Sequence, residues 1–390
     1  MHTFPAKCRL PRRVLQVITP PHLSAAATQL ARVTPRLIAR GHAVTTVICR
    51  RSPVVDALRR DGLVLRTLPI SSRANPIALA ALRRAAREHR ADLIHSAESS
   101  ASWWSGWLEC IGGPPSIGHL HEFTSAKCYQ HQSHLLAVSR AVKQHLVKQG
   151  IPAARITILP NALSPGDFYA TRDPSLVRVE HGADPDTPVV GTFAPLSHEK
   201  GLLELFAAIP AVLRELPHAQ FWIVGQGPLW HDLHEVARQS GVFDNVRFLG
   251  CRHDVPDLTN AVDVVAIPSW NEPCGSAYVA AALMRKPTVA CRSGAAPESI
   301  EDGQTGLLVS PRNSSAIADA LLAILTNRDR AAQMGQAAYD RSIEFAGWDR
   351  FVHTLEQVYE RVLDERPTRR TPRPTSRTVA KFRRTKPAAA

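Results

Sequence analysis

The sequence predicts an α/β protein made of two doubly wound, parallel-sheet domains that face each other across a cleft. Three observations lead there. Short apolar runs bounded by turn residues alternate with amphipathic stretches of helical spacing. The alternation runs through the chain twice, interrupted by one stretch rich in Pro, Asp and charge. A length of 390 residues is enough for two separate cores. Strands separated by helices require right-handed crossovers, so the strands of each series run parallel.

In the first series RVLQVIT (13–19), AVTTVIC (43–49), LVLRTL (63–68), DLIH (92–95), SIGH (116–119) and LLAVS (135–139) read as buried strands. AATQLARVTPRLIAR and IALAALRRAAREHR read as helices between them. Pro35, inside the first of these, is expected near a helix start or at a kink, because it lacks the N–H that a helix interior uses. ARITILPNAL (154–163) closes a domain spanning 13–165, and 166–187 reads as a linker. The second series, a domain spanning 188–345, comprises VVGTFA (189–194), QFWIVG (220–225), VRFLG (246–250), DVVAIP (263–268), TVACR (288–292) and GLLVS (306–310). LLELFAAIPAVLREL and SAIADALLAIL are among its helices, and a helix around RFVHTLEQVYERVL (350–363), within 346–365, ends the folded part.

The net charge of +13 is unevenly placed. From Arg366 the tail RPTRRTPRPTSRTVAKFRRTKPAAA holds nine Lys/Arg and no acid, which leaves the body at +4. Such a Pro/Thr/Arg segment has too little apolar surface to fold, so 366–390 is expected to be disordered. Its charge suits electrostatic binding to anionic lipid or nucleic acid, and a solvated tail with no specific partner is the plainer reading. No specific nucleic-acid partner is expected. The seven cysteines (8, 49, 110, 128, 251, 274 and 291) form no C-x-x-C pair and none has zinc-finger spacing with histidine. That pattern suits buried or free thiols in a reducing compartment. No run of about 18 apolar residues is present. The expectation is a cytoplasmic or membrane-peripheral protein.

Open parallel sheets bind ligands outside the carboxyl ends of their strands, so the cleft between the two domains is the expected site. Architecture alone does not choose a chemistry, since dehydrogenases, binding proteins and transferases share it. A dinucleotide enzyme is disfavoured: after the first strand stands PPHLSAAATQ, with no G-x-G-x-x-G opening a helix.

The motifs narrow the choice. The second half shows, in order, GTFAPLSHEKG (191–201), IVGQGP (223–228), VRFLG, PSWNEPCG (268–275), KPTVA (286–290) and GAAPESIEDGQTGLLV (294–309). The first half adds RGH (40–42), HLHEF (119–123), VSRAVKQHL (138–146) and ILPNAL (158–163). In order and spacing these resemble the retaining family-4 glycosyltransferases of the GT-B fold, over residues 13–345. The resemblance implies transfer of a hexose from a nucleotide-diphosphate sugar, the co-substrate, to a hydroxyl of a carbohydrate or lipid-linked acceptor in polysaccharide or glycolipid synthesis. It implies no metal, and no Asp-x-Asp pair stands at a strand end here. Retention in this family needs no enzymic nucleophile, because the leaving phosphate helps to deprotonate the acceptor on the same face.

By that resemblance Lys200 contacts the diphosphate as a point charge, Glu272 accepts hydrogen bonds from the donor sugar, and His121 reaches the sugar from the other domain. Gly225 and Gly227 let the backbone approach the ligand, Gly275 belongs to the donor turn, and Gly294 presents backbone amides. Each residue also has a purely local reading. Lys-Gly is a common helix entry, and a carboxylate near a helix start gains about 0.3–1 kcal/mol from the dipole. Ser139 and Asn161 shape turns, and His95 ends a strand.

Four positions depart from the family pattern. Ala280 replaces a second Glu that would reach the ribose, and Pro195 replaces an Arg beside the diphosphate. Ser24-Ala25 stand where a Gly-Gly loop is usual, and Arg285 replaces a glycine in a left-handed helix cap, where a side chain carries strain. Hydrogen bonds to charged groups contribute roughly 1.5–3 kcal/mol each. Losing the first two contacts therefore amounts to a factor on the order of a hundred to several thousand. Arg292, ending TVACR, and His198 are the candidates to compensate. The alternative is a non-catalytic GT-B protein that binds sugar, nucleotide or a partner enzyme.

Overall fold

The computed structural model describes residues 11–19, 24–50, 55, 59, 63–70, 73 and 75–365. Two all-parallel sheets form, as the alternation predicts. The first has seven strands: β1 (Arg13–Ile18), β2 (Ala43–Cys49), β3 (Leu65–Leu68), β4 (Leu93–Ala97), β5 (Ser116–Leu120), β6 (His134–Ala137) and β7 (Ile156–Ile158). The second has six: β8 (Val189–Phe193), β9 (Gln220–Val224), β10 (Val246–Gly250), β11 (Val264–Ile267), β12 (Thr288–Cys291) and β13 (Gly306–Val309). Their spatial orders are β3-β2-β1-β4-β5-β6-β7 and β10-β9-β8-β11-β12-β13. Each sheet therefore reverses its winding direction once, between β1 and β4 and between β8 and β11. These are the two crevices where such sheets take ligands.

Helices cover both faces of each sheet. The first, Ala25–Ala39, starts at Ser24, whose Oγ accepts from the N–H of Ala27 at 3.2 Å. Pro35 lies inside it and not at its start. Burial of Leu30, Val33 and Leu37 on the sheet holds the helix through the missing N–H. The stretch read as a linker is also structured. Asp173 caps a helix over Pro174–Glu180, Val177 enters the second core, and Arg178 bonds the carbonyl of Ala261 at 2.7 Å. With the N–H of Thr171 held by Asp257, residues 171–187 pack as part of the second domain.

The last helix, Trp348–Asp364, crosses back to the first domain. Its apolar positions 348, 351, 352, 355, 358, 359 and 362 form one face, which packs with Val14, Ile18, Leu30 and Leu37. Seven such side chains at about 1.5–3 kcal/mol each contribute on the order of 10 kcal/mol. The first domain thus completes its core with the end of the chain. Arg285 has the expected left-handed backbone, φ 53°, and its guanidinium stacks on Tyr339 at 4.0 Å. The carbonyl of Arg285 lies where a Cβ at Gly335 would be, 2.0 Å away, so only glycine lets helix Arg328–Phe345 dock there.

Candidate donor site and the facing histidine cluster

Lys200 and Glu272 are 72 residues apart and come from the loops that follow β8 and β11, the strands flanking the second crevice. Gly201, with φ 67°, makes their meeting possible: a Cβ there would lie 2.0 Å from the carbonyl of Pro268. Trp270 N–H and Ser269 Oγ then bond the carbonyl of Glu199 at 2.8 and 3.0 Å. The result is an ion pair, Lys200 Nζ to Glu272 Oε2 at 2.8 Å, with side chains only 16% and 10% exposed. The other carboxylate oxygen faces the N–H of Cys274 at 3.4 Å. Gly294, φ 56°, packs on the backbone of Glu272, where a Cβ would approach the carbonyl to 2.2 Å. The N–H of Ala295 bonds that carbonyl at 2.7 Å. The turns after three strands therefore fix one carboxylate.

The other expected residues have varied placements. Gly225 and Gly227 do give close approach, but to this chain's own backbone, since Cβ atoms there would meet the carbonyls of Ala194 and Leu196 at 2.0 and 2.4 Å. They seat the turn that carries Pro195 and leads to Lys200. Gly275 opens helix Ser276–Leu283 and packs against Ser299. Arg292 does not turn to the Lys200–Glu272 pair. Its guanidinium is held by Asp302 at 2.5 Å on the β13 side, so it is corrected as a compensating cation. His198 and Pro195 are exposed. Ala280 is half-buried on its helix and offers no polar group. Around the pair, Trp270 Nε1, Tyr278 Oη and Glu204 Oε2 are buried without a protein partner. Burial, and then the Glu272 charge, raise the Tyr278 phenol well above its ordinary range, so it remains a neutral donor.

Ser139 and Asn161 do more than shape turns. Ser139 Oγ accepts from Val142 N–H at 3.1 Å and donates to the carbonyl of Pro273 at 2.8 Å. Asn161 Nδ2 reaches Cys274 Sγ and Ser276 Oγ at 3.2 and 3.3 Å. The N-terminus of helix Arg140–Lys148 donates to Glu298 through Arg140 and Ala141 at 2.8 and 3.1 Å, a favourable meeting of helix dipole and carboxylate. The turns after β11 and β12 are thereby tied directly to the first domain.

In that domain His121 follows β5 and lines a cavity of about 370 Å³ with Ser24, Glu98 and Tyr129. It is 8% exposed, and neither ring nitrogen has a protein partner. Behind it lie two more buried histidines. His119 packs on His121 with ring centroids 4.2 Å apart, and His95 stacks on His119 at 5.5 Å. His95 Nδ1 meets the Tyr359 hydroxyl at 2.9 Å, so the row reaches the C-terminal helix. Burial pushes His95 and His121 down to about 3 and His119 well below its usual value. All three rings are neutral at pH 7. The resemblance carried by HLHEF points to His121 and not to His119, and nothing marks Tyr359 beyond its place on an apolar helix face.

Two crevices, with a buried Lys–Glu pair at one and a buried histidine at the other, make up the candidate site of a two-domain α/β protein. A family profile described as Glycosyltransferase Family 4 matches residues 26–166, and one described as Glycosyl transferases group 1 matches 187–327. Between them they take in both domains, and the chain belongs to this glycosyltransferase family. It is 31% identical over 210 residues to the GDP-mannose-dependent alpha-(1-6)-phosphatidylinositol monomannoside mannosyltransferase of Mycobacterium tuberculosis, covering 51% of this chain and 54% of that protein. It is 30% identical over 223 residues to the D-inositol 3-phosphate glycosyltransferase of Corynebacterium kroppenstedtii, covering 54% and 49%. The chain spans about half the length of the curated relatives it matches. Among solved structures, HepE of Anabaena in complex with UDP and glucose superimposes with a TM-score of 0.80 over 89% of this chain and 99% of that one, at 22% identity. That likeness carries the fold, which is the GT-B arrangement.

Proposed function

We propose that the protein transfers a hexose from a nucleotide-diphosphate sugar to a hydroxyl of a carbohydrate or lipid-linked acceptor, with retention and without a metal. The observation that carries this is the Lys200–Glu272 pair at the second crevice. Lys200 offers the leaving diphosphate a fixed cation in a site largely closed to water, where charge stabilisation is most effective. A diphosphate that takes over Lys200 frees the Glu272 carboxylate to accept sugar hydroxyls. Tyr278 and Trp270 hold unused donors beside it. Neutral His121 has one donor and one acceptor nitrogen for a sugar hydroxyl. The proton of the acceptor hydroxyl passes to the departing phosphate as the new glycosidic bond forms. The acceptors in the names of the curated relatives, and the UDP and glucose bound by HepE, support this reading. Incubating the purified chain with UDP- and GDP-linked hexoses is expected to release nucleoside diphosphate. The proposal fails if no common nucleotide sugar is hydrolysed or transferred.

No helix among the described residues is long and apolar enough to cross a membrane. The basic tail, outside the described residues, is proposed to bring the enzyme to anionic lipid. A chain ending before Arg366 is expected to lose binding to anionic liposomes; unchanged binding would sink that idea.

A further inference from the structure

The chain crosses between the domains twice, once around 160–163 and again where helix Arg328–Phe345 gives way to helix Trp348–Asp364. The N–H of Leu163 bonds the carbonyl of Ala346 at 3.0 Å, so the two crossings lie side by side. Against them is a cavity of about 440 Å³ that shares no residue with the Lys200–Glu272 pair. Part of its wall is apolar, with Leu159, Pro160, Phe345 and Phe351. Another part is basic, with Arg140 from the first domain and Arg341 and Arg350 from the last two helices. Small ligands favour pockets of this size and mixed lining at a junction of domains.

The charges of this cavity are unequally satisfied. Glu298, the carboxylate in its lining, is already engaged by the N–H groups of Arg140 and Ala141. Arg341 donates to the carbonyl of Glu298 at 3.2 Å and pairs with Glu301 at 3.6 Å. Among the described residues the guanidinium groups of Arg140 and Arg350 meet no carboxylate and donate no hydrogen bond; Arg350 only lies over the Phe345 ring, 5.7 Å from its centroid. Two unspent cations match a phosphate monoester, which carries a charge of about −1.5 to −2 at pH 7. Guanidinium forks also fit phosphate oxygens in pairs. We infer that this interdomain cavity binds a phosphate monoester carried on an apolar body, with Arg140 and Arg350 on the phosphate and Phe345 and Phe351 against the body. An occupant touches both crossings and both domains. Pro297 and Glu298 of the wall continue the turn at Gly294 that packs on Glu272, so the cavity is placed to act on the donor site without entering it.

Any effect on transfer rests on the glycosyltransferase reading; the binding of the phosphate does not. The full-length protein would be titrated calorimetrically with phenyl phosphate, and with inorganic phosphate and benzyl alcohol as its two halves. Phenyl phosphate is expected to bind about tenfold more tightly than either half, or better. Arg140→Gln and Arg350→Gln, both at exposed positions, should together weaken it by about tenfold or more while leaving the melting temperature of the free protein nearly unchanged. UDP or GDP should not displace it. Absence of phenyl phosphate binding at millimolar concentration would overturn the inference, as would equally tight binding of either half or undiminished binding in the double Arg variant. Displacement by UDP or GDP would also overturn it, since the probe would then sit in the donor crevice. If no nucleotide binds at all, the transferase reading fails, and the two Arg substitutions still decide the cavity.

Discussion

Lowering the pH from 7 to 5 is expected to remove about 6 kcal/mol of folding stability through three buried histidines, with His134, pushed down to about 4 by burial, adding to the loss. His95, His119 and His121 are neutral in the folded chain because burial opposes their charged forms, and His95 and His121 are held near 3. In the unfolded chain each titrates at about 6.5. Their contribution is complete above pH 6.5 and is lost as the pH falls toward the folded values, because only the unfolded chain takes up protons in that window. Each ring costs about 1.4 kcal/mol per pH unit, hence about 2 kcal/mol by pH 5. Carboxylates held low by their partners, such as Glu356 between His42 and Arg40, begin to act only below the ordinary carboxylate range. Against a total stability of about 5–15 kcal/mol, that loss is a large share. Urea titrations at half-unit intervals would show a steep fall in midpoint below pH 6.5. His119→Asn should reduce that slope by about one proton, and a flat midpoint between pH 7 and 5 would contradict the account.

The second large effect is at the Lys200–Glu272 pair. Removing one partner leaves an uncompensated buried charge, so Lys200→Met and Glu272→Gln are each expected to destabilise the chain by about 3–5 kcal/mol. The double variant should regain most of that, since no buried charge is left. Function should not follow stability. Each single change removes a charge-assisted contact of about 1.5–3 kcal/mol, which is a loss of donor turnover of roughly tenfold to over a hundredfold. The double variant should stay inactive while melting almost like the unsubstituted chain. A double variant as unstable as the singles would mean that the pair serves the fold through packing instead of charge.

Most of the fold was legible. Among the described residues the strands lie within the short, mostly apolar runs of the sequence, because most of them are buried along nearly their whole length; β3 and β10, only partly buried, are the exceptions. Pro35, expected at a helix start or a kink, lies within the helix, which burial of Leu30, Val33 and Leu37 holds. The 166–187 stretch is polar because its one short helix shows most of its surface to solvent and buries only Val177 and Arg178. Within the site, the family resemblance brought out Lys200, Glu272 and Gly294, which the structure brings together. It gave no means of telling that Arg292 turns to Asp302, since a side chain's direction at a strand end depends on the loop opposite. Glu98 and Tyr359 were silent for a similar reason. A strained φ and a contact 264 residues away leave no local pattern.

The central claim, that the second crevice binds a nucleotide-diphosphate sugar on Lys200 and Glu272, is tested most directly by calorimetry. The full-length chain and Lys200→Met would each be titrated with UDP, GDP, ADP and their common sugar conjugates. The account predicts micromolar binding of one nucleotide class to the unsubstituted chain, weakened at least tenfold in the variant. Absence of binding at millimolar ligand would contradict it and leave a GT-B protein that works by holding a partner.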